Sequence, residues 1–170
     1  MALRPVILLA LVVLGSAQAQ QPQTARNPLI DYEGFARNVA EVRGVRESRR
    51  VSEEDFIRMA REPGTVVLDA RSERLYRLRH IEGAVNLSFP EFTAETLAAV
   101  IPTRDTRVLI YCNNNFEGAP DSMPAKAISS ALNVSTFVSL HAYGYRNVYE
   151  LAPAVDVKVS RLAFAGTEIR

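Results

Sequence analysis

The chain has 170 residues, 48% hydrophobic and 23% charged, with 8 Gly and 9 Pro, and a mean hydropathy of -0.02. This is the composition of a globular protein, not of a disordered or fibrous one, and the length suits one domain with extensions. Lys and Arg number 20 against 19 Asp and Glu, so no overall field draws the chain to nucleic acid or an anionic membrane. A single Cys excludes an internal disulfide and a Cys-rich zinc site.

The first residues, MALRPVILLALVVLGSAQAQ, combine a short head carrying Arg4, an apolar run from Val6 to Leu14, and small residues at Ala17 and Ala19. Nine apolar residues fall well short of the roughly 20 that cross a bilayer. The pattern predicts a signal peptide cleaved after Ala19, and with no Cys following the run there is no lipid anchor. The mature chain is therefore expected in the periplasm or medium, without a membrane anchor. In that oxidising setting the lone Cys112 is either an inert core thiol or a used one.

From Leu29 the apolar positions Ile30, Phe35, Val39 and Val42 fall near helical spacing, predicting a helix from about Asp31. RGVRESRR, Arg43 to Arg50, reads as a solvated connector with no assigned role, leading to an edge strand near Arg49 to Ser52. Ser52-Glu53-Glu54-Asp55 resembles a capping box opening a helix that runs to about Arg61. Pro63-Gly64 is a turn, and Thr65 to Asp69 is a buried strand closed by a carboxylate. A short strand at Ala84 to Ser88, a helix at Thr93 to Ile101, and strands at Thr106 to Tyr111 and Asn147 to Leu151 follow, with a helix between over Ala127 to Tyr143. Alternating helices and short apolar strands predict a small parallel sheet of about five strands covered on both faces.

Ligands of such sheets bind beyond the carboxyl ends of the strands, where Asp69 and Cys112 fall. After Cys112 comes NNNFEGAPDSMPAK, leading to the helix. Backbone N–H groups and the positive helix end in that setting favour a thiolate and lower the thiol's pKa from about 8.5.

TVVLDARSERLYRLRHIEGAVNLSF, RVLIYC, GYRNVYEL and LAFAGTEI stand in order along the chain. Together they resemble the signature of a rhodanese domain, over about Val51 to Ile169. The resemblance implies a rhodanese-like three-layer α/β fold occupying residues 51–170. Residues 20–50 form an N-terminal extension of leader and helix, behind the signal peptide at 1–19. It implies Cys112 as the sulfur-accepting nucleophile, Asp69 and Arg71 as a charged pair bracing the active-site side, and His80, Gly83 and Ala84 as a structural turn. No metal or organic cofactor is implied. The implied partners are a small sulfur-containing anion and a thiol acceptor, with room for a protein partner.

The chain departs from that pattern after Cys112, where it is longer by roughly 15 residues and has no Arg before Tyr145. Lys126 is the sole Lys or Arg in the interval, either an anion ligand or a solvated helix residue. Asn113, Asn114 and Asn115 either donate amide N–H bonds or permit unusual turns. The loop from Asn113 to Pro124 is expected to form a partial lid over Cys112, with Phe116 and Met123 turned inward. Arg79 and Leu75 replace the family's usual Gly and acidic residue. His80 and His141 are read as structural, and Asn133-Val134-Ser135 as helical surface. Three functions compete: an exported persulfide sulfurtransferase, a catalytically weak binding or redox-sensing module on the same scaffold, and Cys-based phosphatase or arsenate chemistry, which lacks a clamping Arg.

Overall fold

In the computed structural model the chain divides into two compact units, Met1–Asp31 and Tyr32–Arg170. Residues 27–169 are described, so the signal segment, its cleavage point and most of the leader lie outside the described residues. Of the first unit, Asn27 closes a turn, its side chain accepting from the Leu29 N–H at 2.9 Å.

The second unit opens with α1 (Tyr32–Ser48), β1 (Arg50–Val51), α2 (Glu53–Ala60), β2 (Thr65–Asp69), α3 (Glu73–Leu78), β3 (His80–Ile81) and β4 (Val85–Asn86). It continues with α4 (Ala94–Val100), β5 (Arg107–Tyr111), β6 (Phe116–Glu117), α5 (Leu132–Ala142), β7 (Val148–Leu151), β8 (Val155–Asp156) and β9 (Phe164–Ala165). The main sheet has the order β1-β7-β5-β2-β4, and every pairing in it is parallel. The expected α/β fold, with about five parallel strands between helices and an N-terminal helix, is what the structure has.

Local chemistry accounts for the elements. The Ser52 hydroxyl accepts from the Asp55 N–H at 3.1 Å, and three acidic residues sit at the positive end of α2. Thr93 and Thr96 cap α4 reciprocally. The central strands bury both faces, so successive residues feed two cores. Leu68, Val108, Ile110 and Val148 pack with Phe137 and Leu140 of α5 and Val42 of α1. Val67, Leu109, Tyr111 and Leu151 pack with Phe56 and Met59 of α2.

Two boundaries differ from expectation. The RGVRESRR stretch is not a connector: α1 runs through Gly44 to Ser48 because Val42 anchors it and α5 supports it. The helix expected over Ala127 to Tyr143 begins only at Leu132, after a separate 3-10 turn at Ile128–Ser130. Apolar periodicity could not reveal that break, since Ile128 is exposed.

Gly44 and Gly166 separate two uses of glycine. A Cβ on Gly44, mid-helix, would meet nothing within 4 Å, whereas on Gly166, at φ +122°, it would lie 2.4 Å from the Leu78 carbonyl oxygen. Gly44→Ala should raise stability by about 1 kcal/mol, and Gly166→Ala should lower it by about 1–3 kcal/mol. Urea denaturation measures both; effects of the same sign would refute the assignment.

Candidate active site around Cys112

Tyr111 and Cys112 are adjacent residues of extended backbone and leave β5 toward opposite faces of the sheet. Tyr111 donates its hydroxyl to Asp69 Oδ2 at 2.6 Å on the α2 side. Cys112 shares the parity of Ile110, which pairs in register with Glu150, which in turn pairs with Arg50. The thiol therefore lies one step beyond a row of Arg50, Glu150 and Ile110 on the α1–α5 side.

On the Tyr111 side, Asp69 and Arg71 form a buried ion pair with Nη2–Oδ2 at 2.5 Å and Nε–Oδ1 at 2.9 Å. Arg71 also donates to the carbonyls of Ser122, at 2.9 Å, and Arg79, at 2.7 Å. It thereby fastens the long loop to β2. Burial works against the Arg71 charge, but the bonded Asp69 carboxylate outweighs it and holds the guanidinium above its ordinary pKa. Burial, reinforced by Asp69, pushes the Tyr111 phenol well up, so it remains a donor. The pair is thus a structural brace on the face opposite the thiol, approaching Cys112 through Tyr111 and through Asn113, whose Oδ1 lies 3.5 Å from Arg71 Nη1.

The three Asn residues work by hydrogen bonding, and no residue other than glycine adopts positive φ among the described residues. Asn114 exchanges two bonds with the Lys126 backbone, at 2.9 and 3.0 Å. Asn115 accepts from the Cys112 N–H at 2.9 Å and donates to the carbonyls of Leu151, at 2.8 Å, and Pro153, at 3.1 Å. With its amide orientation so determined, Asn115 Oδ1 also accepts from Asn133 Nδ2 at 3.0 Å. Asn133 is accordingly buried at the start of α5, not on its surface, and its own Oδ1 has no partner.

The Lys126 side chain is exposed and borders a neighbouring cleft with Phe89 and Pro90, not the one that holds Cys112. Phe116 and Met123 do turn inward, but Phe116 packs edge-on between Tyr111 and Phe164 and does not gate Cys112. Phe116 and Met123 join the core on the α2 side, with Phe56 and Met59. The cleft over Cys112, about 400 Å³, is bordered by Asn114 and Asn115 from the start of the loop, with Ile128, Asn133, Arg46, Arg50 and Glu150.

Cys112 is 2% exposed. Burial pushes its thiol up from the ordinary value, against the pull of the backbone N–H groups of Asn133, Asn114 and Leu132, and the Glu150 charge adds to the rise. The expected cage of N–H groups is present, but its effect on the pKa is outweighed by desolvation. Glu150, Arg46 and Arg50 were not legible as site residues. The available signal was a Glu at the alternate position of a buried strand, NVYEL. His80 stacks on Tyr76 at 3.8 Å, and its Nδ1 lies 2.7 Å from the Tyr76 carbonyl oxygen.

Two outcomes follow from this geometry. Asp69→Asn leaves the buried Arg71 charge uncompensated and should cost about 3–5 kcal/mol in chemical denaturation; a loss under about 1 kcal/mol would contradict the brace. Alkylation of Cys112 by iodoacetamide should still accelerate above about pH 8.5, where a free thiol is half ionised. A midpoint below that value would mean that the N–H cage prevails over burial.

No curated protein matches the chain. Among solved structures, the BH2092 protein from Bacillus halodurans is 19% identical, with a TM-score of 0.51 over 78% of this chain and 88% of that one, a likeness of fold. The Rhodanese-like domain of the Alr3790 protein from Anabaena sp. is 20% identical over 71% of this chain and 80% of its own, with a TM-score of 0.46. The hp1203 protein from Helicobacter pylori is 22% identical over 71% and 91%, also with a TM-score of 0.46. At the level of families, residues 52–153 match the Rhodanese-like domain, a stretch running from the α2 cap through the Cys112 strand to the end of β7, and the chain belongs to that family.

Proposed function

We propose that the chain is an exported sulfurtransferase in which Cys112 carries sulfane sulfur as a persulfide. The observation that carries this reading is the position of Cys112 within the family domain. It lies beyond the carboxyl end of a central strand, with the N–H groups of Asn114, Leu132 and Asn133 around its sulfur. The signal-like first residues support the export part.

In the reaction the Cys112 thiolate attacks the outer sulfur of a donor such as thiosulfate. An S–S bond forms at the enzyme, the donor's S–S bond breaks, and sulfite leaves with the bonding pair. An acceptor thiolate then attacks the outer persulfide sulfur, takes it, and returns Cys112 as thiolate. The N–H groups serve both anionic forms of the enzyme sulfur, which is how fixed dipoles assist a nucleophile.

The burial of Cys112 and its upward-shifted thiol favour a second reading, a binding or redox-responsive module with little turnover. Intact mass after incubation with thiosulfate separates the two. Wild type should gain one sulfur, Cys112→Ser should gain none, and a thiol acceptor should remove the adduct. Absence of the adduct from wild type would sink the transferase reading and leave the module.

A further inference from the structure

The segment before the family domain is not a bystander. Arg46, in the last turn of α1, grips Glu150 with both edges of its guanidinium, Nε to Oε2 at 2.8 Å and Nη2 to Oε1 at 2.6 Å. Arg50 Nε stands 3.4 Å from the same carboxylate. The Glu150 side chain is 3% exposed, so this carboxylate is almost wholly withdrawn from water, where a like charge nearby is poorly screened. All three side chains border the cleft that holds Cys112.

The other walls bring no competing charge. The start of α5 contributes backbone N–H groups and Asn133, and the loop contributes Asn114 and Asn115. Glu47 reaches Arg50 at 3.2 Å from an exposed position. The unpartnered Asn133 Oδ1, on a residue 5% exposed, marks the same wall as built around polar groups.

We propose that Arg46, assisted by Arg50, sets the charge felt by Cys112 by neutralising Glu150 across the cleft, so that helix α1 is a working part of the thiol site. Arg46 is a positioning residue: it acts on the sulfur through the carboxylate it holds. Left unpaired, Glu150 would face the thiolate as an uncompensated like charge. Paired, its charge is offset by the guanidinium groups, and the N–H groups of Asn133, Asn114 and Leu132 have less to pull against. The proposal rests on Cys112 working as a thiolate, as in the transferase reading, but its test needs no sulfur donor, so the two fail separately.

The test is the pH dependence of Cys112 alkylation by iodoacetamide in the full chain, followed by intact mass, for Glu150→Gln, Arg46→Ala, Arg46→Lys and the double variant. Glu150→Gln should lower the midpoint by about one pH unit and speed the reaction at pH 7 by up to about tenfold. Arg46→Ala should raise the midpoint, Arg46→Lys should fall between it and wild type because it keeps the charge without the fork, and the double variant should return toward wild type. Midpoints that stay put, or move the same way in both single variants as a general loosening of α1 would make them, overturn the proposal. If Arg46→Ala does not fold by circular dichroism, Glu150→Gln decides alone, and an unchanged or raised midpoint overturns it.

Discussion

Strand alternation is the constraint on which the arrangement of this molecule depends. Because β5 is buried on both faces, its last residue and the one after it have no choice but to part company across the sheet. Tyr111 goes to the α2 side and joins Asp69 and Arg71; Cys112 goes to the α1–α5 side and joins Glu150. One polar cluster is wholly internal and holds the loop to the sheet. The other opens on a cleft and holds the thiol. A single-residue slip in β5 would exchange them, placing the thiol in a sealed network and the phenol in the cleft.

The same constraint explains what could be read from residues alone. Thr65 to Asp69 was legible in full, because a β-branched apolar run between a Pro-Gly turn and a carboxylate leaves one reading. The Ser52 cap was legible for the same local reason. The place of Cys112 between a buried strand and an Asn-rich turn was legible. Partners across the cleft were not. Arg46 lies 104 residues from Glu150, and nothing local distinguishes it from the other Arg residues of RGVRESRR. Asp69 and Arg71 were recognised as a pair, but the face they occupy depends on register, which motif spacing does not carry. Lys126 was singled out as the one cation of the loop, yet it is its backbone that bonds Asn114, while its side chain faces solvent beside another cleft.

Burial of the thiol reflects a balance that local sequence cannot weigh. Three N–H groups and a helix start favour sulfur's anion, while desolvation and a neighbouring carboxylate oppose it. No Arg lies between Cys112 and Tyr145. Two guanidinium groups nevertheless border the cleft, Arg46 from helix α1 and Arg50 from β1, both ahead of the family domain.

Asn115 gives the cleft one fixed jaw. Its single amide ties the Cys112 backbone, the end of β7 and the start of α5 together, so the sulfur, the strand bearing Glu150 and the N–H cage can shift only as one body. The opposite jaw is the short turn at Ile128–Ser130, which is exposed throughout. The cleft therefore joins a floor tied by one amide to three elements with a rim left to solvent, so a molecule entering it meets a fixed surface on one side and an exposed side chain at Ile128 on the other.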